Sequence, residues 1–100
     1  MLRHIVMWKF REDAEGKTAK EHAQWVKNTL ETLPAIIPQI KGFEVGINDI
    51  PSPASYDAVL ISTFESEEDL KTYNTHPEHQ KVIAYCKQFA ADRKAVDYFF

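Results

Sequence analysis

At 100 residues the chain has the length of one domain, 1–100, and a core of that size is marginal unless further surface is buried elsewhere, for instance in an oligomer. Fifteen acidic residues against twelve basic ones give a formal charge of −3, and the basic residues are dispersed, which excludes the basic face that nucleic acid requires. The single cysteine, Cys86, excludes an internal disulfide and fits a reducing cytoplasm, and no apolar run has the length of a membrane span or the pattern of a signal peptide.

The first predicted element is a strand over residues 2–10, "LRHIVMWKF", where Leu2, His4, Val6, Trp8 and Phe10 alternate with Arg3, Ile5, Met7 and Lys9. Its middle is apolar on both faces. Thr18 and Glu21 have capping-box spacing, which predicts a helix running to about Leu33 with His22, Val26, Leu30 and Leu33 inward. Pro34 and Pro38 then confine Ile36 and Ile37 to a short apolar turn. "KGFEVGIND" reads as a second strand with Phe43, Val45 and Ile47 on one face, and "PSPAS" as loop.

"DAVLISTFE" is nearly continuous in apolar residues, the pattern of a central strand covered on both sides. Ser66 caps a short helix whose first turn holds Glu67, Glu68 and Asp69, the charge sign that a helix N-terminus favours. His76 precedes a proline and is pushed out of helical geometry, while Pro77 suits the first position of a new helix. That helix is expected to run to about Asp92 with His79, Val82, Ile83, Cys86, Phe89 and Ala90 on one stripe, followed by a fourth strand, "KAVDYFF". The order β-α-β-β-α-β predicts an α+β, ferredoxin-like protomer: an antiparallel four-stranded sheet with helices on one face. The other face would leave Ile5, Met7, Val59 and Ile61, or their alternates, bare. A second copy packing there, sheet on sheet, gives a homodimer.

These segments resemble the stress-responsive dimeric α/β-barrel (Dabb) family over essentially the whole chain. The resemblance is carried by "LRHIVMWKF", "LPAIIPQIKGFEVGIND", "YDAVLISTFESEEDLKTYNTHPEHQKV" and "VDYFF", and most specifically by the run through "FES" to "HPEH". It implies a protomer whose sheet closes a barrel with its partner's. The family includes plant stress proteins and a plant polyketide cyclase, olivetolic acid cyclase, which closes a linear chain by aldol condensation without a cofactor. The positions of that enzyme's catalytic tyrosine and histidine fall on Tyr73 and His79, and a cavity histidine of its first strand falls on His4. Its histidine at the start of the third strand finds Ala58.

Tyr73 and His79 are accordingly the candidate catalytic pair, and His4, Val6 and Trp8 the candidate substrate-binding residues. A neutral histidine can take a proton beside a carbonyl, and a phenol can donate to the oxyanion that develops. The same groups serve a binding pocket without turnover, and each alone has a bland account as a packed side chain. The expected ligand is a small hydrophobic or polyketide-like molecule, with no cofactor, no nucleic acid and no membrane as partners. Competing functions are a stress-linked structural dimer and the chemistry of related ferredoxin-like dimers, which include cofactor-free, antibiotic-monooxygenase-like oxygenases and haem degraders. A haem version would use His79 as the axial ligand. His76 is expected to cap or meet solvent, His22 to be structural, and Cys86 to be a small core residue. No metal site is expected, because Pro77 separates His76 from the helix that carries His79. Trp25 reads as an edge residue, and Tyr98 as a contact to the same layer as Trp8.

Overall fold

In the computed structural model, which describes all 100 residues, the elements follow one another as β1 (Leu2–Phe10), α1 (Ala19–Leu30), a 3-10 turn (Leu33–Ala35), β2 (Gly42–Ile47), β3 (Ala58–Phe64), α2 (Glu67–Thr75), α3 (Pro77–Phe89) and β4 (Ala90–Phe99). The strands form one antiparallel sheet in the order β2-β3-β1-β4, so β3 and β1 are central. This is the ferredoxin-like arrangement that the element order implies.

Local chemistry starts the helices. The Glu21 N–H donates to Thr18 Oγ1 at 3.1 Å, and the Thr18 N–H donates to Glu21 Oε1 at 3.0 Å, a complete capping box for α1. Ser66 Oγ accepts from the Asp69 N–H at 3.1 Å to start α2. His76 does double duty. It ends α2 with extended backbone (ψ 134°), and its Nδ1 accepts from the Glu78 N–H at 3.1 Å to cap α3, where Pro77 occupies the first turn.

Two boundaries differ from the sequence expectation. α1 ends at Leu30 rather than near Leu33: Glu31 and Thr32 keep right-handed helical dihedrals, but Pro34 has no N–H to continue the α-helical hydrogen bonding, and the chain tightens into the 3-10 turn that Leu33 opens. Leu33 and Ile37 are buried all the same. More consequentially, α3 stops at Phe89 rather than near Asp92, and β4 begins at Ala90 rather than at Lys94. Pairing with the end of β1 outweighs helix continuation there: Lys9 faces Asp92, Phe10 faces Ala90, and the Arg11 N–H donates to the Phe89 carbonyl at 2.9 Å.

Strand register sorts the side chains. The helices cover the face that carries His4, Val6, Trp8, Leu60 and Ser62, all buried, together with Val45 of β2. Val26 and Leu30 of α1, Leu70 and Tyr73 of α2 and Val82 of α3 close the core over it. Fully burying one such Val or Leu side chain is worth roughly 1.5–3 kcal/mol. The opposite face carries Ile5 across from Ile61 and Val96, and Met7 across from Val59. No helix covers it, and Met7 and Val96 remain 38% and 52% exposed. Tyr98 lies opposite Arg3 on this bare face, not in the layer of Trp8 where sequence reasoning placed it, because the strand alternation puts Asp97 and Phe99 on the helix side. No helix is long and apolar enough to cross a membrane.

Candidate functional site

α3 crosses the sheet and leaves a cavity of about 140 Å³ beneath it. His4, Val6 and Trp8 of β1 and Leu60 of β3 form the floor, and His79, Val82 and Cys86 of α3 form the roof. Asn74, Ile83, Lys87, Ala90 and Arg93 complete the wall. The lining is mostly apolar with a few polar groups converging on it, the usual composition of a small-molecule site. A larger depression of about 730 Å³ lies along α2, but Glu67, Glu68 and Lys71 line it and Leu70 is its one apolar side chain.

Of the five sequence-designated residues, His4, Val6, Trp8 and His79 border this cavity. Tyr73 does not. It lies behind His79, fully buried, with the two rings stacked at 4.1 Å between centroids and 28° between planes. The Tyr73 ring also meets His4 edge-on at 6.5 Å and tilts against Phe64 at 5.2 Å, so it ties the two histidines to the core. The break at Pro77 produces this geometry: Tyr73 comes from the end of α2 and His79 from the first turns of α3.

The polar groups differ in their partners. His4 Nδ1 donates to Asp97 Oδ1 across the β1–β4 pair, which leaves Nε2 as the nitrogen free for another partner. Ser62 Oγ donates to the His4 carbonyl at 3.0 Å and holds that backbone in place. By contrast, the Tyr73 hydroxyl and His79 Nδ1 are buried with no hydrogen-bond partner. Burial holds the His79 imidazole down at about 4, helped by the nearby His4, Arg93 and His76, so it is neutral at pH 7. Burial also pushes the Tyr73 phenol well above its ordinary range, so it stays a hydroxyl and a potential donor. The Cys86 thiol is pushed up to about 12 by burial against the opposing influence of Arg93, which makes it an inert wall residue rather than a nucleophile.

The other histidines stand elsewhere. His22 is fully buried beneath α1, with Nδ1 2.7 Å from the Tyr85 hydroxyl, Nε2 3.0 Å from the Ala14 carbonyl, and its ring stacked on Phe89 at 4.5 Å. Trp25 stacks on Tyr85 at 3.8 Å beside it. His76 is the cap described above. No three His, Cys, Asp or Glu side chains converge as a metal-binding group.

Sequence reasoning missed Asp97, Arg93 and Lys87 at this site. Arg93 stands opposite Trp8 and Asp97 opposite His4 in the β1–β4 register, hence on the cavity face. The alternation of Arg93, Ala95 and Asp97 carried that signal, but starting the strand at Lys94 cut Arg93 out of it.

Comparison with known proteins now has a geometry to rest on. The model of the stress responsive A/B barrel domain matches residues 2–100. The chain belongs to that family. A stress-response A/B barrel domain-containing protein of Arabidopsis thaliana is 31% identical over 84 residues, which is 83% of this chain but spans only 30% of the plant protein's length. A dimeric protein of unknown function with a ferredoxin-like fold from Bacteroides fragilis superposes with a TM-score of 0.85 at 33% identity, covering 99% of this chain and 95% of that one. A dimeric ferredoxin-like protein of unknown function from Thermobifida fusca gives 0.82 at 25% identity, covering 99% and 90%. The A/B barrel family is thus shared by a plant stress-response protein, and its fold by bacterial proteins without an assigned reaction.

Proposed function

We propose that this A/B barrel protein is a homodimer that binds a small molecule in the cavity between α3 and the sheet of each protomer. The observation that carries the reading is His79, a residue of the cavity wall whose buried Nδ1 has no partner, with the equally unpartnered Tyr73 hydroxyl on the ring behind it, at a break between helices. Each such group carries a desolvation penalty of about 1–3 kcal/mol unless something pairs with it. A purely structural protein would gain by filling the cavity and by pairing or deleting these atoms. His4, whose Nδ1 is committed to Asp97, and Trp8 in the floor are the further contacts assigned to the ligand. A cavity of about 140 Å³ matches an apolar group of about one ring, since an engineered cavity of similar size, about 150 Å³, takes up benzene. A polyketide-like chain would fit only in part, with its remainder outside. Sites for drug-sized ligands run to about 300–1,000 Å³, so a haem does not fit.

Homodimerisation is supported by the uncovered apolar face around Ile5, Met7, Val59 and Ile61 and by the dimeric state named for the Bacteroides and Thermobifida proteins. The free, buried Cys86 suits a cytoplasmic location.

A second reading keeps the same residues and adds turnover. His79 would take a proton next to a ligand carbonyl, as in an aldol-type lyase or cyclase, with the Tyr73 ring stacked behind it to hold the imidazole in place. The orphaned Nδ1 of His79, on a residue that lines the cavity, favours it. The imidazole at about 4 disfavours it, because a general base works best with a pKa near the operating pH. Binding therefore comes first.

The test is ligand affinity in His79→Ala. A ring-sized ligand of the wild-type protein should bind at least about tenfold more weakly to the variant, the loss of one good buried contact, while the folded spectrum is retained. Unchanged affinity would remove His79 from the site.

A further inference from the structure

The charges around the cavity point to the kind of ligand it takes, an inference that rests on the binding reading above. We propose that the ligand is a small organic monocarboxylate, its charge held at the cavity mouth by Arg93 and its compact apolar body seated among Val6, Trp8 and Val82.

Arg93 is placed by β4 directly opposite Trp8, on the face that α3 covers, and it lines the cavity while remaining open to solvent. Its positive charge reaches inward and acts to lower the pKa values of Tyr73, His79 and Cys86 alike. No carboxylate of the chain pairs with it. The ion pairs of the protein join His4 to Asp97, Lys27 to Glu31, Lys41 to Glu65, Lys81 to Glu78 and Lys94 to Asp92. Asp97, the acidic residue on the same strand face, is committed to His4. Asp92 accepts from the Tyr56 hydroxyl and lies 3.8 Å from Lys94. Lys87, one turn beyond Ile83 on α3, also lines the cavity and also lacks an acidic partner.

The rim therefore carries two unpaired cations in a chain whose formal charge is −3. The interior offers the opposite: a neutral imidazole, a thiol held protonated and apolar walls. A ligand complementary to both parts has one anionic end and one apolar end. Arg93 presents the planar fork that a carboxylate engages through two parallel hydrogen bonds, whereas Lys87 supplies only a mobile point charge. The cavity sets the size of the apolar part at about one ring.

The test titrates the isotope-labelled full-length protein at pH 7 with benzoate and with benzamide, a neutral molecule of the same shape, following backbone amide shifts. Benzoate should bind about tenfold more tightly than benzamide, with both shifting the amides of the cavity. Arg93→Gln should remove the preference, so that benzoate and benzamide bind the variant equally, and Arg93→Lys should retain part of it. Equal affinities in the wild-type protein, or a benzoate preference that survives Arg93→Gln, would overturn the carboxylate assignment and leave the pocket standing. If neither molecule shifts the cavity amides, the assignment and the pocket reading both fall.

Discussion

The rings of Tyr73 and His79 stack at 4.1 Å, yet neither the phenol hydroxyl nor His79 Nδ1 has a hydrogen-bond partner in the protein. Stacking explains why the rings are where they are. It does not explain why a phenol and an imidazole stand where phenylalanine and leucine would pack without cost.

The missing partner gives Tyr73→Phe an unusual expected sign. Deleting a buried hydroxyl normally destabilises by stranding whatever it bonded. Here nothing is stranded, and the desolvation cost of the hydroxyl disappears, so the variant should gain about 1 kcal/mol in chemical denaturation. Ligand affinity should fall only as far as the variant lets the His79 ring shift, since Tyr73 stands behind that ring and does not line the cavity. A loss of stability above about 1 kcal/mol would show that the hydroxyl has a partner in the free protein.

His79 predicts a stability change with pH. The unfolded imidazole takes its proton near 6.5 and the folded one only near 4, held down by burial first and then by His4, Arg93 and His76 beside it. Between these values the unfolded chain binds more protons than the folded chain. The neutral ring's contribution is therefore complete above about pH 6.5 and is lost as pH falls toward 4, by about 3 kcal/mol at most. His79→Leu should flatten the denaturation free energy over that window relative to wild type. A magnetic-resonance titration of the His79 ring with a midpoint near 6.5 would remove the basis of this expectation.

Ile61 tests the proposed dimer face. It lies opposite Ile5 at the centre of the uncovered side of the sheet, flanked by Val59 and by Val96 beyond Ile5. In Ile61→Lys an unpaired ammonium would be buried between two sheets, at a cost of several kcal/mol. Light scattering should report a homodimer for the wild type at micromolar concentration and a monomer for the variant. A variant that remains as tightly dimeric as the wild type would place the interface elsewhere.

His22 supplies the contrast. Both of its ring nitrogens are bonded, and Phe10, Phe89 and Tyr85 surround it. His22→Ala should cost about 3 kcal/mol through the cavity it leaves and the lost hydrogen bonds. Ligand affinity at the α3 cavity should not change in the molecules that remain folded.

The fold was legible because its signals are local. Strand alternation in residues 2–10, the Thr18–Glu21 capping box, the Ser66 cap and the His76–Pro77 break each specify an element from a few neighbouring residues. The bare sheet face followed from the same alternation. Half of the site was legible for the same reason: His4, Val6 and Trp8 share a strand face, and His79 shares a helical stripe with Val82 and Cys86. The rest depends on pairing between distant segments. Asp97 reaches His4, and Arg93 reaches the cavity, only through the β1–β4 register. A helix that gives way to a strand at Ala90 without an intervening turn offers no Gly or Pro to announce the change. Nor does the spacing of Tyr73 and His79 reveal that one ring lies behind the other, since that order is set by α2 and α3 packing on the sheet.

The central claim, that the space bounded by His4, Trp8 and His79 is a ligand site, is tested most directly by mapping where ring-sized fragments bind to the labelled wild-type protein. The account predicts amide shifts concentrated at His4, Val6, Trp8, His79 and Cys86, which disappear for the same fragments in His79→Ala. Fragment shifts clustered on another surface, or none in the cavity at millimolar concentration, would contradict it.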